Sequence, residues 1–167
     1  GLEIIKSSTP KWSQKYLKES IPHILDKDEM DLRSWLKNIK QSFTEADLNK
    51  IAAVGSVSNL DYNINDKGVP FGSRAALVHN KYIQENGLDN KYAPIQPGDK
   101  IKRLFLRTPN RFDSEIIGYT NELFITEVAD IIDYDKNFEK NFMSGLNLMV
   151  APLNYNLEKE TETLDDW

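Results

Sequence analysis

The sequence predicts an α+β fold, mainly helical, with a small antiparallel β element and a flexible C-terminal tail. Three observations predict it. Apolar residues recur at helical spacing in two long early segments, Trp12, Tyr16, Leu17, Ile21, Ile24, Leu25 and then Met30, Leu32, Trp35, Leu36, Ile39, Phe43. The segment IKRLFLR alternates, so Leu104 and Leu106 point one way and Arg103, Phe105 and Arg107 the other. After Pro152 the apolar period is lost and the chain turns polar and acidic. A chain of 167 residues fits one domain, placed over 1–151, followed by a tail over 152–167.

Leu2–Ile5 reads as a short strand. Ser8 or Thr9 before Pro10 reads as a hydroxyl cap with proline at the first helical position. Pro22 falls inside that helix, where it kinks or divides it. A second helix runs from about Asp28 to Phe43, and Thr44 with Asp47 resembles a capping box for a further helical turn. A strand is expected near 52–57, then a polar loop over 59–68. Ser73 is expected to cap a helix that ends before Asn86-Gly87, glycine supplying the left-handed stop. PGDK at 97–100 orders Pro and Gly as a type II turn requires, ahead of the alternating strand. Residues 115–120 read as its partner strand. Asp133 is a good N-cap for a last helix carrying Phe138, Phe142, Leu146 and Met149, which Pro152 ends.

The composition excludes several function classes. The chain has no cysteine, hence no disulfide, thiol nucleophile or thiolate metal site, and its two histidines, His23 and His79, disfavour a His-rich zinc site. No stretch approaches the ~18–20 apolar residues of a membrane span. GLEIIKSSTP has neither a signal-peptide layout nor an initiator Met, which fits a segment of a longer protein. The net charge of −5 hides an asymmetry. Residues 67–112 hold nine Lys/Arg against three Asp/Glu, whereas 113–167 hold three against thirteen. A basic middle beside an acidic end points to an anionic partner for the middle.

The chain has no Walker loop, GxSxG, HExxH or GxGxxG. DIIDYD supplies Asp130, Asp133 and Asp135, and paired aspartates can hold divalent ions for phosphoryl transfer. Carboxylates at a helix N-terminus have a simpler role, satisfying free amides and opposing the dipole, and the amphipathic helix that follows favours it. The basic residues are the better candidates. Arg74 and Lys81 lie two turns apart on one helical face beside Asn80, and Arg103 and Arg107 share a strand face with Lys102 next to them. Such residues position a phosphate backbone without reading bases.

In order along the chain, these segments resemble the thumb region of family B DNA polymerases in their T-even phage branch. GLEIIKSSTP with its long helix resembles the junction from palm to thumb, and KGVPFGSRAALVHNK is similar to that branch's PF-x-x-R helix. PGDKIK is similar to its glycine turn and strand, IDYDKNFEKNF to the terminal thumb helix, and TETLDDW to its short clamp-binding tail. Two positions depart: Gly145 stands where the terminal helix usually has proline, and Gly72 where a histidine is common. The resemblance implies a thumb domain over 1–151 without catalytic residues of its own. The aspartates that hold Mg2+ would lie on a palm outside this chain, and the chain itself would carry no cofactor. It implies that Lys6, Arg74 and Lys81, which stand at its motif positions, contact the backbone of duplex primer-template DNA, and the basic faces add Asn80, Lys102, Arg103 and Arg107 to that set by inference. Leu164 and Trp167 would enter an apolar groove on a sliding clamp, three apart on one helical turn. The other partners implied are the rest of the polymerase (palm, fingers and exonuclease), in the cytoplasm of an infected bacterium and away from any membrane. Two other readings stay open: a stand-alone DNA-binding accessory protein, and a small metal-dependent nuclease built on Asp130, Asp133 and Asp135.

Overall fold

The structure, a computed structural model, describes residues 4–157. Leu2 and Glu3 of the expected first strand lie outside the described residues, and Ile4 and Ile5 form a turn packed against the core. Helix α1 spans Lys11–Leu25 with Pro10 as its N-cap. Thr9 does not cap it. Its Oγ1 accepts from the Lys6 amide at 3.0 Å and closes the preceding turn instead. Pro22 neither breaks nor divides α1, because its ring lies on the exposed side and the last turn closes through Asp26 N–H to the Pro22 carbonyl at 2.9 Å.

Asp28 caps α2 (Glu29–Glu45), accepting from the Asp31 amide at 2.8 Å. His23 ties the two helices together, stacking on Trp35 at 5.0 Å and meeting the Asp31 carboxylate at 2.8 Å. The capping box expected at Thr44 is absent. Thr44 donates to the Gln41 carbonyl, and Asp47 is itself the cap of the short helix α3 (Leu48–Ile51), bonding the Asn49 amide at 3.0 Å.

A three-stranded antiparallel sheet follows, in the order β1 (Ala53–Ser56), β2 (Lys100–Phe105), β3 (Ile116–Tyr119). The register pairs Arg103 with Ala53 on one side and Gly118 on the other. The sheet separates two cores. Leu104, Leu106, Ile117 and Tyr119 face the larger one, where Trp12 meets Phe43, Phe138 and Phe142 at 4.9–6.2 Å between ring centres. Ile101 and Ile116 face a smaller one with Ala75 and Ala76 of α4 (Phe71–Glu85). The α4 backbone lies so close to β3 that a Cβ on Gly118 would sit 3.2 Å from the Ala75 carbonyl carbon and 2.9 Å from Ile101. Ser73 does not cap α4, which starts after Pro70. Its hydroxyl instead donates to the Asn59 carbonyl at 2.7 Å and pins the polar loop. Gly87 and Gly98 take φ of +65° and +93°, the left-handed values expected at the helix stop and the turn.

Asp133 caps α5 (Tyr134–Phe138) through the Lys136 amide at 2.9 Å. The helix then widens into a π-helical turn over Glu139–Met143 and resumes as α6 (Ser144–Val150). The residue spacing explains the widening. Phe138, Phe142, Leu146 and Val150 are all buried at four-residue intervals. In a regular α-helix each such step overshoots a full turn by about 40°, so three steps would carry the stripe off the core. A turn closed by i→i+5 bonds absorbs the drift.

The core is also closed by the segment after α6. Leu157 is buried, and Asn156 accepts from Arg33 and donates to Glu29 at 2.8 and 3.0 Å. The packed chain therefore runs past Ala151, the end expected for the domain, to at least Leu157.

Candidate nucleic-acid interface

Two clefts hold most of the candidate cations. The first, about 300 Å3, lies beside α4 and is lined by Arg74, Lys81, Phe71 and Phe112 together with the carboxylates of Asp113 and Glu115. Arg74 and Lys81 stand seven residues apart on α4, and neither forms an ion pair among the described residues. Arg74 is steadied by donating to the Asp66 carbonyl at 3.3 Å. The second cleft, about 490 Å3, is lined by Lys6, Arg103 and Lys140 with Ser8, Thr9 and Asn141.

Phe71 lines the first cleft and touches Arg103 of the second. Its ring is 41% exposed, tilts against Phe105 at 5.6 Å and carries the Arg103 guanidinium at 5.7 Å. Lys136 sits over Phe105 at 5.1 Å and pairs with Glu115 at 2.5 Å. The result is two adjoining rings with a cation over each, one of them paired with Glu115.

The structure thus brings together Lys6 with Arg103, and Arg74 with Lys81. The other candidates are elsewhere. Asn80 is consumed by a structural bracket: it donates to the Ile95 carbonyl at 3.0 Å and accepts the Ile95 amide at 2.8 Å, holding a loop fifteen residues away. Lys102 emerges on the opposite face of β2 from Arg103 and pairs with Glu122 at 2.8 Å. Arg107 does not share the strand face with Arg103, because β2 ends at Phe105 and Leu106 bridges to Ile132. Its guanidinium donates to the Asp130 carbonyl at 2.5 Å.

The three aspartates of DIIDYD have three separate roles. Asp130 is gripped by Arg111 at 2.9 and 3.2 Å, which holds its carboxyl below the usual range. Asp133 caps α5, and Asp135 points to solvent 3.5 Å from Lys40. Among the described residues, no group of three or more His, Cys, Asp or Glu side chains could hold a metal ion. Leu164 and Trp167 lie outside the described residues.

Sequence reasoning missed Phe71, Lys140 and Asn141. The signal for Lys140 was available: Lys136, Lys140 and Ser144 recur every four residues, opposite the stripe of Phe138, Phe142 and Leu146. Phe71 is the Phe of the PF-x-x-R motif, but its contact with Phe105, thirty-four residues away, is not visible in that motif.

No protein-family model matches the chain. It is 30% identical over 156 residues to the DNA-directed DNA polymerase of Enterobacteria phage T4, a match covering 87% of this chain and 17% of that protein. With the DNA-directed DNA polymerase of Escherichia phage RB69 the identity is 32%, covering 99% of this chain and 19% of the relative. This chain is kin to one segment of the phage DNA polymerases. It spans less than a fifth of the length of these curated relatives. The fold agrees: the family B DNA polymerase from the hyperthermophilic archaeon Pyrobaculum calidifontis matches with a TM-score of 0.56 over 84% of this chain and 17% of that one, at 12% identity. Among the described residues, no helix is long and apolar enough to cross a membrane.

Proposed function

We propose that this chain is the thumb portion of a phage replicative DNA polymerase. It grips the primer-template duplex through its phosphates and is tethered to a sliding clamp by its C-terminal tail. In this reading the chain forms no bond itself. A palm elsewhere supplies the Mg2+-binding carboxylates, and the work takes place in the cytoplasm of the infected bacterium. The observation that carries the reading is the run of similarity to phage polymerases along nearly the whole chain, coinciding with cations spaced along one helix face. Lys6, Arg74, Lys81 and Arg103 form the core of the proposed contact surface. Lys102 flanks it from its ion pair with Glu122 and Arg107 from its hydrogen bond to the Asp130 carbonyl, and Asn80 shapes it through Ile95.

Binding by counter-ion release is sequence-independent and falls linearly on a log–log plot against salt, with a slope of about −0.9 per phosphate neutralised. The 167-residue chain should bind duplex DNA weakly, without sequence preference and with such a slope. The Arg74→Ala, Lys81→Ala double variant should shallow the slope by up to about 1.8. Fluorescence anisotropy over a salt series measures it, and an unchanged slope removes both residues from the surface.

A further inference from the structure

A third cleft, about 580 Å3, opens between the start of α1, the end of α2 and α3. That volume is within the usual span of pockets that enclose a small ligand or a large side chain. Its floor is aromatic: Tyr16 is half-buried, with the buried Trp12 behind it at 4.4 Å between ring centres. Lys11, Lys15 and Lys50 are exposed around it, and Lys15 lies over the Tyr16 ring at 5.1 Å. None of the three forms an ion pair among the described residues. The two carboxylates at the rim are already engaged, Glu45 accepting from Gln41 at 3.0 Å and Asp47 capping α3. An aromatic floor beneath unpaired lysines suits an acidic segment that carries an aromatic side chain.

The chain itself supplies such a segment. Residues 158–167, which lie outside the described residues, read EKETETLDDW, with five acidic residues against one lysine and with Leu164 and Trp167 as the apolar members. Just before them Leu157 is buried, and Asn156 is bonded to Glu29 and Arg33 near the start of α2. From there to Ser42 and Glu45 at the cleft is about 14–24 Å along α2 at 1.5 Å per residue. The cleft lies about half a turn round the helix from Glu29 and Arg33, which adds about 16–19 Å on a cylinder 10–12 Å across. The combined path, over the exposed side that carries Lys37, is about 21–31 Å. Ten residues can span at most about 33–36 Å, so Trp167 can reach the cleft with little to spare.

We propose that this cleft is a resting seat for the chain's own residues 158–167, with the Trp167 indole against Tyr16 and with Asp165 and Asp166 facing the lysines. The seat stands on the cleft, and its consequence rests on the clamp-tethering reading. Trp167 cannot occupy the cleft and a clamp at once, so docking reduces the apparent clamp affinity to the fraction of chains left undocked. A cleft filled about four-fifths of the time lowers it about fivefold. Exposed ion pairs are weak and screened by salt, so a clamp can displace the segment.

The test uses the full chain, 15N-labelled, and follows the Trp167 indole N–H and the Ala46 amide by NMR. A synthetic peptide of residues 158–167 gives the position of an undocked indole. Docking should set the Trp167 resonance apart from the peptide's, and Trp167→Ala should move the Ala46 amide, which lies at the cleft. The Lys15→Glu, Lys50→Glu double variant, altered only at exposed positions, should return the indole to the peptide's position and raise clamp affinity about two- to fivefold at low salt. An indole at the peptide's position in the unaltered chain, with Ala46 unmoved by Trp167→Ala, overturns the seat and leaves the clamp reading to the clamp titration alone. A docked indole without clamp binding supports the seat and overturns the clamp as its rival. An indole resonance that changes on dilution makes a second copy's segment the occupant and overturns the intramolecular seat. An Ala46 shift with a DNA duplex, while the indole stays at the peptide's position, makes nucleic acid the occupant and overturns it too.

Discussion

At the scale of single residues, the buried polar groups do work that their neighbours in sequence do not disclose. Asn137 is fully buried, and its amide brackets Phe105, accepting from its N–H and donating to its carbonyl at 3.0 Å each, so the edge of β2 is fixed by a side chain of α5. His79 is 1% exposed against the Phe124 ring, and burial lowers its pKa from the ordinary 6.5, only partly offset by its bond to Asn80. A base whose folded pKa lies below its unfolded one contributes stability that is full above about pH 6.5 and lost as pH falls through the folded value. The urea midpoint should therefore drop on acidification from pH 7 towards 5, before the bulk of the carboxylates titrate. His79→Leu should flatten that drop; an equal drop in the variant would locate the acid sensitivity elsewhere.

At the scale of elements, the seam between α4 and β3 leaves no room for a side chain at Gly118. Gly118→Ala would place a methyl 2.9 Å from Ile101 Cδ1 and against the α4 backbone. The side chain can give way but the helix backbone cannot, so roughly 1–3 kcal/mol of overpacking is expected, read as a lowered urea midpoint. Local chemistry made several elements legible in advance: the Asp133 cap, the alternation that sends Leu104 and Leu106 into the core, the left-handed helix stop at Gly87 and the turn at Gly98. Each of those signals is contained within a few residues. What escaped depends on distant partners. Asn80 looked like a surface amide until Ile95 claimed both its ends, and Arg107 left the strand because Ile132 bridges to Leu106. Thr9 and Thr44 had the right type for caps, but nearer groups took their hydroxyls.

At the scale of the whole molecule, the sheet acts as a partition. One core binds it to α1, α2, the terminal helix and Val78 and Ile83 of α4, the other to Ala75 and Ala76 of α4, and Phe71 lines one cleft while touching Arg103 of the other. The described residues end at Leu157, and ten more run to Trp167. Ten residues can span at most about 33–36 Å, which bounds the reach available to the proposed clamp contact. Trp167→Ala should weaken binding of the chain to the clamp of the same phage at least tenfold while leaving duplex affinity intact, as followed by calorimetry. Equal clamp affinity in both proteins would dissociate the tail from that role.

The π-helical turn at Glu139–Met143 has one more consequence. It holds one residue beyond what α-helical closure needs, so deleting a residue inside it leaves Phe138 and Leu146 in phase across the gap. The same deletion in α6 would swing every later side chain by about 100°. The helix thus carries its own slack, a place where its length can change without turning Ser144 and Leu148 off the cleft wall.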